Sequence, residues 1–517
     1  MVRKTKSILA VLVVMTVFMA SCSKKAEYVN AIPADASAVV SIDLKSLAEK
    51  AGLNGKDNET MKQKMLDALK NDLTAASFQH LEKIIKSPTE SGIDIKAPVY
   101  FFNAVSFPYP TVVAKVGNID NLRTSIEVMA KEQISQPIAE GDGYSFALIG
   151  SDNLLAFNET TALFVSVHGT SETDAAKQAI TGLLKQTTEN SINKNAAFQK
   201  MEKSKGDVTF FASMDAIPAT YARQINAGMP SEINLKDLSI IGGLAFDNGK
   251  IAISFENYSE NEQVNDLLKK QEKAITKLNS TFLKNFPEST LAFLSLGANG
   301  EELYNLLVNN QEFRNNVSIA KADDVKKLFN SFNGDISVGL INVTMNSAPT
   351  FAAYAEVKDG EALKTIYANK AQLGLSRGED ILQLSENEYV YKTKGMNIFF
   401  GVRGKQLYAT NDELLYKNIG KPVDKSIEDA PYVSDMKGKN LFFVINANAI
   451  LDLPVVKMLA GMGGEEFQTY YKLGSQASYF EVASENGGKT EITLVLKNKE
   501  VNALKQIIDF AKQFVGM

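Results

Sequence analysis

The sequence contains few of the residues on which common protein chemistry depends. Among its 517 residues there is no tryptophan, and there are only two histidines and one cysteine. A single cysteine cannot form a disulfide within the chain, which excludes a disulfide-stabilised fold. The two histidines, His80 and His168, match no spacing that is typical of a zinc site. The sequence therefore predicts neither a metal site nor another cofactor.

Sequence motifs for catalysis and phosphate binding are also missing. There is no Gly-x-Ser-x-Gly segment that would present a nucleophilic serine. The stretch GGKT at 487–490 lacks the earlier glycine of a phosphate-binding loop, and we interpret it as a hairpin turn. The adjacent pairs Glu301–Glu302 and Glu465–Glu466 are predicted to open helices, because negative charge is favourable at a helix N-terminus. The sequence therefore predicts no catalytic residue. A catalytic Ser–Lys pair whose two members are far apart in the sequence is the alternative.

A slight excess of acidic residues disfavours an anionic partner. The chain has 55 Lys and Arg residues against 60 Asp and Glu residues, a formal net charge of −5. Nucleic-acid binding depends on cationic groups that neutralise phosphates, so nucleic acid is not expected as a partner. The apolar content of 45% is that of a folded protein, and the length indicates more than one domain.

The amino terminus has the pattern of a secretory leader. Arg3, Lys4 and Lys6 precede thirteen residues, 8–20, of which only Thr16 is polar. A helix that crosses a bilayer needs about 20 apolar residues, so this run is too short to be one. A basic start followed by a short apolar run predicts a signal peptide over residues 1–21.

The residues that follow, Met19-Ala20-Ser21-Cys22, resemble the lipobox of bacterial lipoproteins. In that family the cysteine thiol takes a diacylglycerol and the chain is cut before the cysteine. The resemblance implies that Cys22 is the lipid attachment site and that residues 22–30 form a tether to the membrane. The ten residues between Cys22 and Pro33 reach about 35 Å when extended. An ordinary secreted protein and a free buried thiol are the alternatives.

The residues after Cys22 indicate the membrane to which the lipoprotein is anchored. Ser23 stands where some inner-membrane lipoproteins carry aspartate, and the run after it is not acidic as in surface-exported lipoproteins. By analogy with those proteins, we expect the periplasmic face of the outer membrane, with the cell surface as the alternative.

Five sequence patterns of the first half return in the same order in the second half. In the first pair, Pro33 opens PADASAVVSIDL and Pro287 opens PESTLAFLSLGA, with Ser41 and Ser295 each eight residues later. The other pairs begin near Phe101 and Leu340, Tyr144 and Tyr389, Phe210 and Phe442, and Asp247 and Glu485. This recurrence predicts a tandem duplication.

We predict an α+β domain in each half, over residues 31–284 and 285–517. Apolar residues alternate with polar ones in segments that are typical of strands. In the first half these segments are 38–44, 99–103, 112–116, 154–158, 209–214, 238–246 and 251–257. Because turn signals join neighbouring segments, each sheet is predicted to be mostly antiparallel, with helices packed on one face.

Helices are predicted from apolar residues at helical spacing over 264–282 and 501–514. Asp120 and Asp359 are predicted N-caps of two further helices. The first half also has a helical insertion at 54–87, whose apolar stripe is expected in the core rather than in a ligand groove. That stripe consists of Met61, Met65, Leu66, Leu69 and Leu73.

The layout resembles an uncharacterised family of Bacteroidetes lipoproteins that is known only as a domain of unknown function. The resemblance rests on the lipobox, on IPADASAVVSIDLKSLAEKAG and on SGIDIKAPVYFF, and it covers most of the chain. It implies a cell-envelope location and the two-domain architecture. The family brings no catalytic residues to this chain.

Two aromatic-rich segments, 99–110 and 467–480, are the strongest candidates for an apolar docking surface. We favour a place in the core for both. The sequence as a whole therefore predicts a non-enzymatic envelope lipoprotein, a binding or scaffold protein whose ligand site is the cleft between its halves. The alternatives are an envelope-polymer hydrolase with dispersed catalytic residues and a surface protein that binds glycans or a host. The protein, lipid or glycan partner stays unknown.

Overall fold

The computed structural model describes residues 27–53, 73–217, 234–308, 322–345, 347–372 and 375–515, together with a few isolated positions. The isolated positions are Glu59, Lys62, Gln63, Leu66, Asp67, Leu69, Lys70, Thr220 and Phe313. Cys22 and the predicted signal peptide at 1–21 lie outside the described residues, as do Met61 and Met65.

The seven strands predicted in the first half are present, each to within two residues at either end, and further strands that were not predicted lie between them. In chain order the strands are β1 (Ala36–Ile42), β2 (Val99–Ala104), β3 (Thr111–Lys115), β4 (Ala139–Glu140), β5 (Ser145–Ile149), β6 (Asn153–Phe157), β7 (Thr161–Ser166), β8 (Val208–Ser213), β9 (Ser239–Asp247), β10 (Lys250–Tyr258), β11 (Ile275–Thr276), β12 (Ala292–Asn299), β13 (Phe332–Asn342), β14 (Thr350–Val357), β15 (Asp380–Ser385), β16 (Glu388–Lys392), β17 (Asn397–Arg403), β18 (Gln406–Thr410), β19 (Leu441–Asn446), β20 (Ala477–Ser484) and β21 (Thr490–Leu496).

Helices connect groups of strands. In chain order those of the described residues are α1 (Leu44–Lys50), α2 (Ala75–Lys86), α3 (Ile119–Lys131), α4 (Gly169–Leu184), α5 (Ala196–Met201), α6 (Glu262–Ala274), α7 (Gly300–Leu307), α8 (Ala322–Ser331), α9 (Glu361–Ala368), α10 (Glu413–Lys417), α11 (Val433–Met436), α12 (Ala447–Asp452), α13 (Pro454–Met462), α14 (Glu465–Gly474) and α15 (Ala503–Val515). Glu301–Glu302 and Glu465–Glu466 lie in the first turns of α7 and α14, as the sequence predicts.

The described residues belong to two compact units. The first unit takes its residues from 1–217, 239–251 and 500–517, and the second from 218–238 and 252–499. Helix α15 therefore belongs to the first unit although it ends the chain. The predicted division of the chain between residues 284 and 285 stays a prediction.

The sheet of the first unit has the order β4-β5-β6-β7-β3-β2-β1-β8-β9, and each of these pairs is antiparallel. The sheet of the second unit has the order β15-β16-β17-β18-β14-β13-β12-β19-β20-β21, again antiparallel throughout. Adding eleven to each strand number of the first sheet gives the first nine strands of the second, in the same order, and β21 follows them. The predicted α+β class with a largely antiparallel sheet is confirmed.

The hairpin predicted around GGKT is present. Strands β20 and β21 pair in antiparallel register from Ala477 opposite Leu496 to Ser484 opposite Thr490. Gly487 and Gly488 form the turn with φ values of +92° and +73°. Residues with a Cβ rarely adopt such values, so glycine is needed where this tight turn reverses the chain.

Two helix predictions are wrong in detail. The helix predicted over 264–282 ends at Ala274, because Ile275 leaves it to pair with Ala298 of β12. Its remaining apolar residues enter the core of the second unit instead of extending the helix. Asp120 is not an N-cap, since the side chain of Asn118 accepts the N–H of Asn121 and caps α3.

Asp359 stands next to the residue that caps α9. The capping position is Gly360, while Oδ1 of Asp359 accepts the N–H of Glu361 over 3.0 Å. The predicted N-cap is therefore displaced by one residue, although the carboxylate still satisfies one of the backbone donors at the start of the helix.

Each unit has its own apolar core. In the first, helices α2 and α3 pack on β5–β7, and Leu66 and Leu69 of the predicted stripe are buried among them. In the second, consecutive residues of β18 face different clusters, since Tyr408 belongs to one core and Leu407 packs against another. Side chains alternate along a strand, so these two clusters lie on opposite faces of the sheet.

Candidate binding cavities in the second unit

The two histidines do not assemble a metal site. His80 lies on α2 with Nε2 3.0 Å from Oγ of Ser125, and His168 is an exposed residue directly before α4. Across the described ranges, no cluster of three or more His, Cys, Asp or Glu side chains could hold a metal ion. In the same ranges, no helix has both the length and the apolar character of a membrane span.

The two aromatic segments behave differently. In the segment 99–110 the predicted place in the core is confirmed for Tyr100, Phe102 and Phe107, which are buried, and is wrong for Phe101 and Val105, which are exposed. In the segment 467–480 the prediction is wrong for the helical part, because Tyr470 and Leu473 on α14 are exposed. A helix at the edge of a domain buries only one face, and these two side chains lie outside that face.

A cleft of about 620 Å³ opens in the second unit where β19 and β20 meet the segment before β12. We call it the polar cleft. Its wall combines amides, carboxylates, hydroxyls, prolines and two tyrosine rings: Glu288, Ser289, Leu291, Ile341, Asn342, Ala430, Pro431, Tyr432, Asn446, Asn448, Ala449, Asp452, Leu453, Pro454, Ser478 and Tyr479. Its volume lies within the range of about 300–1,000 Å³ that is typical of small-molecule sites.

Local structure fixes the amides in this wall. Strand β19 ends at Asn446, whose side chain accepts the N–H of Ala449 over 3.1 Å and so caps α12. One residue into that helix, Nδ2 of Asn448 donates to Oγ of Ser478 over 3.3 Å. The amide groups at the strand-to-helix turn are therefore held in position without a ligand, as a preformed site requires.

Tyr432 is the least satisfied polar group of the cleft. Only 2% of its surface is exposed, and among the described residues its hydroxyl has no hydrogen-bond partner. Its ring packs edge-on against Tyr479, with centroids 5.5 Å apart, and is stacked on Phe442. Burial, and then the nearby carboxylate of Glu288, raise the pKa of Tyr432 to about 12, so the hydroxyl keeps its proton and remains a donor.

Two carboxylates lie in the same wall. Glu288 is exposed, and Oδ1 of Asp452 lies 2.9 Å from Nζ of Lys457. Burial, followed by Glu481 and Asp435, raises the pKa of Tyr479 to about 12. The cleft therefore presents acceptor-only carboxylates, amides that both donate and accept, and neutral phenols.

A second cavity of about 430 Å³ lies on the other side of the sheet, between β15–β18 and helices α8 and α9. We call it the apolar cavity. Its lining is entirely aliphatic or aromatic: Leu328, Phe332, Leu363, Leu375, Ile381, Tyr391, Ile398, Phe400, Leu407, Tyr408 and Ala409. Both cavities lie within the second unit, and the ligand site expected between the two halves stays a prediction.

Of the cavity residues, Ser478 and Tyr479 lie in the segment 467–480 that the sequence pattern singles out, but as core positions and not as parts of a site. The polar cleft is formed by five segments that are separated in the sequence. The apolar cavity is formed by residues that each have the sequence pattern of an ordinary core position. One local signal was available for the cleft, since Asn446-Ala447-Asn448 places two amides where a strand turns into a helix. The predicted lipid site, Cys22, lies outside the described residues.

Comparisons with known proteins give one family and one set of solved structures. A protein-family model described as "Domain of unknown function (DUF4836)" matches residues 28–504. No curated protein matches the chain. Three crystal forms of TP0453 are similar to parts of it. Form III has 11% identity and a TM-score of 0.27, over 45% of this chain and 85% of that chain. Form IV has 9% identity and a TM-score of 0.25, over 46% and 98%. Form I has 9% identity and a TM-score of 0.24, over 48% and 85%.

Proposed function

This chain belongs to the DUF4836 family, and because that family has no described activity, we propose from the chain's own residues that it is a lipid-anchored envelope protein that binds a hydroxyl-rich ligand in the polar cleft. The anchor is the lipidated thiol of Cys22. The ligand class is a glycan or a similar polyhydroxylated molecule. The same strand order in the two sheets supports an origin by duplication of an α+β domain.

The anchor is supported by the leader and by the shortness of the tether. The described body begins at Glu27, five residues after Cys22, which is within about 18 Å of the membrane surface even for an extended chain. Each buried methylene contributes about 0.8 kcal/mol to membrane binding, so two or three acyl chains make dissociation slow. The periplasmic face of the outer membrane is the proposed location.

Substitution of Cys22 tests the anchor. In cells fed an alkynyl fatty acid, the wild-type chain is expected to be labelled and to fractionate with the outer membrane. Cys22→Ala should lose both properties, whereas Ser23→Ala, one residue away, should keep both. Labelling of Cys22→Ala at the wild-type level would contradict the proposed anchor. Protease added to intact cells should leave the chain uncut, and cleavage would instead place it on the cell surface.

The observation that carries the ligand site is the unpartnered hydroxyl of Tyr432. Leaving a buried polar group without a partner costs about 1–3 kcal/mol. Because the hydroxyl is buried in the empty protein, the wall of the cleft must shift for a ligand to accept this hydrogen bond, and a ligand that does so recovers that energy. The tyrosine rings offer flat apolar surfaces next to amides and carboxylates. A sugar, with C–H faces and a rim of hydroxyls, matches both kinds of surface.

Titration calorimetry on the full chain in detergent tests the ligand site, with tetra-N-acetylchitotetraose and maltotetraose as probes. Tyr432→Phe should lower the affinity by about tenfold, the equivalent of one hydrogen bond of about 1.4 kcal/mol. The same variant should leave the unfolding temperature of the empty protein unchanged or raised. Tyr354→Phe, buried in the same core but outside the cleft, is the matched control and should bind like the wild type. Binding of neither probe, or equal binding by Tyr432→Phe, would contradict the proposed site.

Glycan hydrolysis is a second candidate function, favoured by the presence of Glu288 and Asp452 in one wall. Glycoside hydrolases use a pair of carboxylates that flank the scissile bond. Release of new reducing ends from either tetrasaccharide, abolished by Glu288→Gln, would establish it. Binding without turnover would leave the binding function alone.

A further inference from the structure

The wall of the polar cleft carries a negative charge that the protein leaves uncompensated. The described residues that line it include two carboxylates, Glu288 and Asp452, and no lysine, arginine or histidine. Asp452 has a cation of its own, since its Oδ1 lies 2.9 Å from Nζ of Lys457. Glu288 forms no ion pair within the described residues, and Lys284, four residues before it, pairs with Glu428 at 3.6 Å instead. The carboxylate of Glu288 is therefore available to a ligand.

The backbone holds Glu288 at this wall. Its N–H donates to the C=O of Lys425 over 2.9 Å, and the N–H of Thr290 donates to the C=O of Pro287 over 2.9 Å, which closes a turn around it. The side chain itself is exposed. A ligand can therefore reach this carboxylate without a shift of the wall, and it meets a residue whose backbone is already in place.

Tyr432 stands beside this carboxylate. Burial, and then the charge of Glu288, raise the pKa of Tyr432 to about 12, so the carboxylate lies near enough to act on the hydroxyl. The two groups are nevertheless not hydrogen-bonded, because the hydroxyl has no partner among the described residues. The hydroxyl needs an acceptor, and the carboxylate can only accept. A ligand with a hydroxyl next to a charged donor satisfies both groups at once.

The charge behind the second phenol of the cleft has the same sign. Glu481 follows Tyr479 by two positions on β20, which places both side chains on one face of the sheet, and only 3% of Glu481 is exposed. Burial raises the pKa of Tyr479 to about 12, and the carboxylates of Glu481 and of Asp435 on α11 add to this effect. A cleft lined by one sign of charge concentrates ligands of the opposite sign.

We infer that the polar cleft selects a cationic glycan, one with free amino groups, and that it holds an ammonium at Glu288 with a neighbouring hydroxyl at Tyr432. The inference rests on the proposed function and adds the charge of the ligand to it. A 2-amino sugar carries its amine next to ring hydroxyls, which is the arrangement that these two residues need. A hydrogen bond between an ammonium and a carboxylate is about twice as strong as one between neutral groups. An N-acetylated sugar lacks that charge, and a sugar acid has the opposite one.

Titration calorimetry on the full chain in detergent at pH 6 tests the inference with three tetrasaccharides: tetraglucosamine, tetra-N-acetylchitotetraose and tetragalacturonic acid. Tetraglucosamine, whose amines are largely protonated at this pH, should bind about tenfold more tightly than the acetylated form. Tetragalacturonic acid should bind at least about tenfold more weakly than the acetylated form, because the cleft repels its carboxylates. Salt at 0.5 M should narrow both differences, since it screens charge. Equal affinities for tetraglucosamine and the acetylated form would overturn the inference.

Variants locate the preference within the protein. Glu288→Gln should bring the ratio of the affinities for tetraglucosamine and for the acetylated form down to about one. Because Glu288 is exposed, the variant should fold, and circular dichroism checks this. Glu413→Gln is the matched control, since it removes a carboxylate that is 64% exposed in its side chain, on α10 of the same unit and outside the cleft, and it should keep the preference. A preference that Glu288→Gln retains would place the ammonium elsewhere and refute the inference.

Spermine separates the recognition of an amino sugar from the attraction of any cation. It carries four amines, as tetraglucosamine does, but neither a ring nor a hydroxyl. It should compete with tetraglucosamine at least about tenfold less well, because it offers no acceptor to the hydroxyl of Tyr432. Equal competition would mean that the cleft binds charge alone, which contradicts the inference.

The inference and the proposed function fail in different ways. Binding of the acetylated tetrasaccharide or of maltotetraose, without a preference for tetraglucosamine, would leave the proposed function in place and refute only the cationic ligand. Binding of none of the tetrasaccharides would refute the proposed function, and the inference with it. Tyr432→Phe should weaken the binding of tetraglucosamine and of the acetylated form alike, whereas Glu288→Gln should remove the difference between them.

Discussion

Nζ of Lys50 lies 2.8 Å from Oδ1 of Asp207, a carboxylate of which only 3% is exposed. The same carboxylate accepts hydrogen bonds from the hydroxyl of Ser46 and from the N–H of Phe246. Asp207 thereby ties α1 to the end of β9 and to the start of β8. The buried charge is compensated by one cation and two donors, which is the condition for such a group to be stable.

Asp207→Ala should destabilise the first unit by about 3 kcal/mol, because it leaves the ammonium of Lys50 and two donors without their acceptor. The matched control is Asp247→Ala, which removes a carboxylate 3.8 Å from the same Lys50 that is 60% exposed in its side chain. Exposed ion pairs contribute about 0–1 kcal/mol. Urea unfolding of both variants measures the difference, and equal losses would contradict the view of Asp207 as the organising charge.

A backbone prediction concerns Gly92, which has φ of +89° and lies against α3. A Cβ at this position would stand 2.3 Å from the backbone nitrogen of Leu122. Gly92→Ala should therefore cost more than the 1–2 kcal/mol of the left-handed conformation alone, at least about 3 kcal/mol. Gly150→Ala is the matched control, since Gly150 has φ of +64° with open space around it. Thermal unfolding should show a clearly larger loss for Gly92→Ala.

There is a physical reason why the strands could be predicted from the sequence and the end of α6 could not. The strands could be predicted because burial alternates along them. Ser41 and Ser295 do occupy matching positions, since Ser41 lies on β1 between β2 and β8, and Ser295 lies on β12 between β13 and β19. The end of α6 could not be predicted, because Ile275 is as compatible with a helix as with its ladder to Ala298. In such cases a tertiary contact decides between two local solutions.

The two cavities could not be predicted from the sequence, for a different reason. Tyr432 and Asn446 are near each other only because β19 and the segment before it pack together, and no spacing in the chain encodes that. The apolar cavity is invisible to pattern analysis, since Ile398 and Leu407 have the alternation of core residues whether or not the core is filled. Periodicity reports which face is apolar and says nothing about what covers it.

The protonation of His80 should couple stability to pH. Burial, and then the nearby Lys83, lower the pKa of His80 below its usual 6.5, while Glu90 opposes them in part. Below pH 6.5 the unfolded chain then binds the proton more readily than the folded one, so stability falls as the pH drops from about 7 toward the pKa of the folded state. His80→Gln removes this titration and should flatten the unfolding temperature between pH 7.5 and 5.5. His168→Gln should leave that slope as it is in the wild type, and a slope retained by His80→Gln would contradict the prediction.

The carboxylate of Glu388 should also make stability fall as the pH falls, in a more acidic range than His80. Glu388 on β16 accepts hydrogen bonds from Arg403 and from the hydroxyl of Tyr408, a residue that also lines the apolar cavity. Burial alone would raise the pKa of Glu388, but the hydrogen bonds from Arg403, Tyr408 and Ser385 outweigh it, and the pKa is lowered. A carboxylate with a lowered pKa stabilises the folded state above its unfolded pKa, and this stabilisation is lost as the pH falls through the folded value.

Glu388→Gln should therefore cost about 1–3 kcal/mol at pH 7, the value of hydrogen bonds to a charged group. It should cost clearly less at pH 3, because the carboxylate of the unfolded chain, whose pKa is higher than that of the folded state, has then taken up its proton. Glu386→Gln is the matched control, because Glu386 is 81% exposed in its side chain and pairs with Lys364 at 3.1 Å. Guanidinium unfolding at both pH values measures the effect. A loss of stability that is the same at pH 3 and pH 7 would show that the side chain acts through its shape and not through its charge.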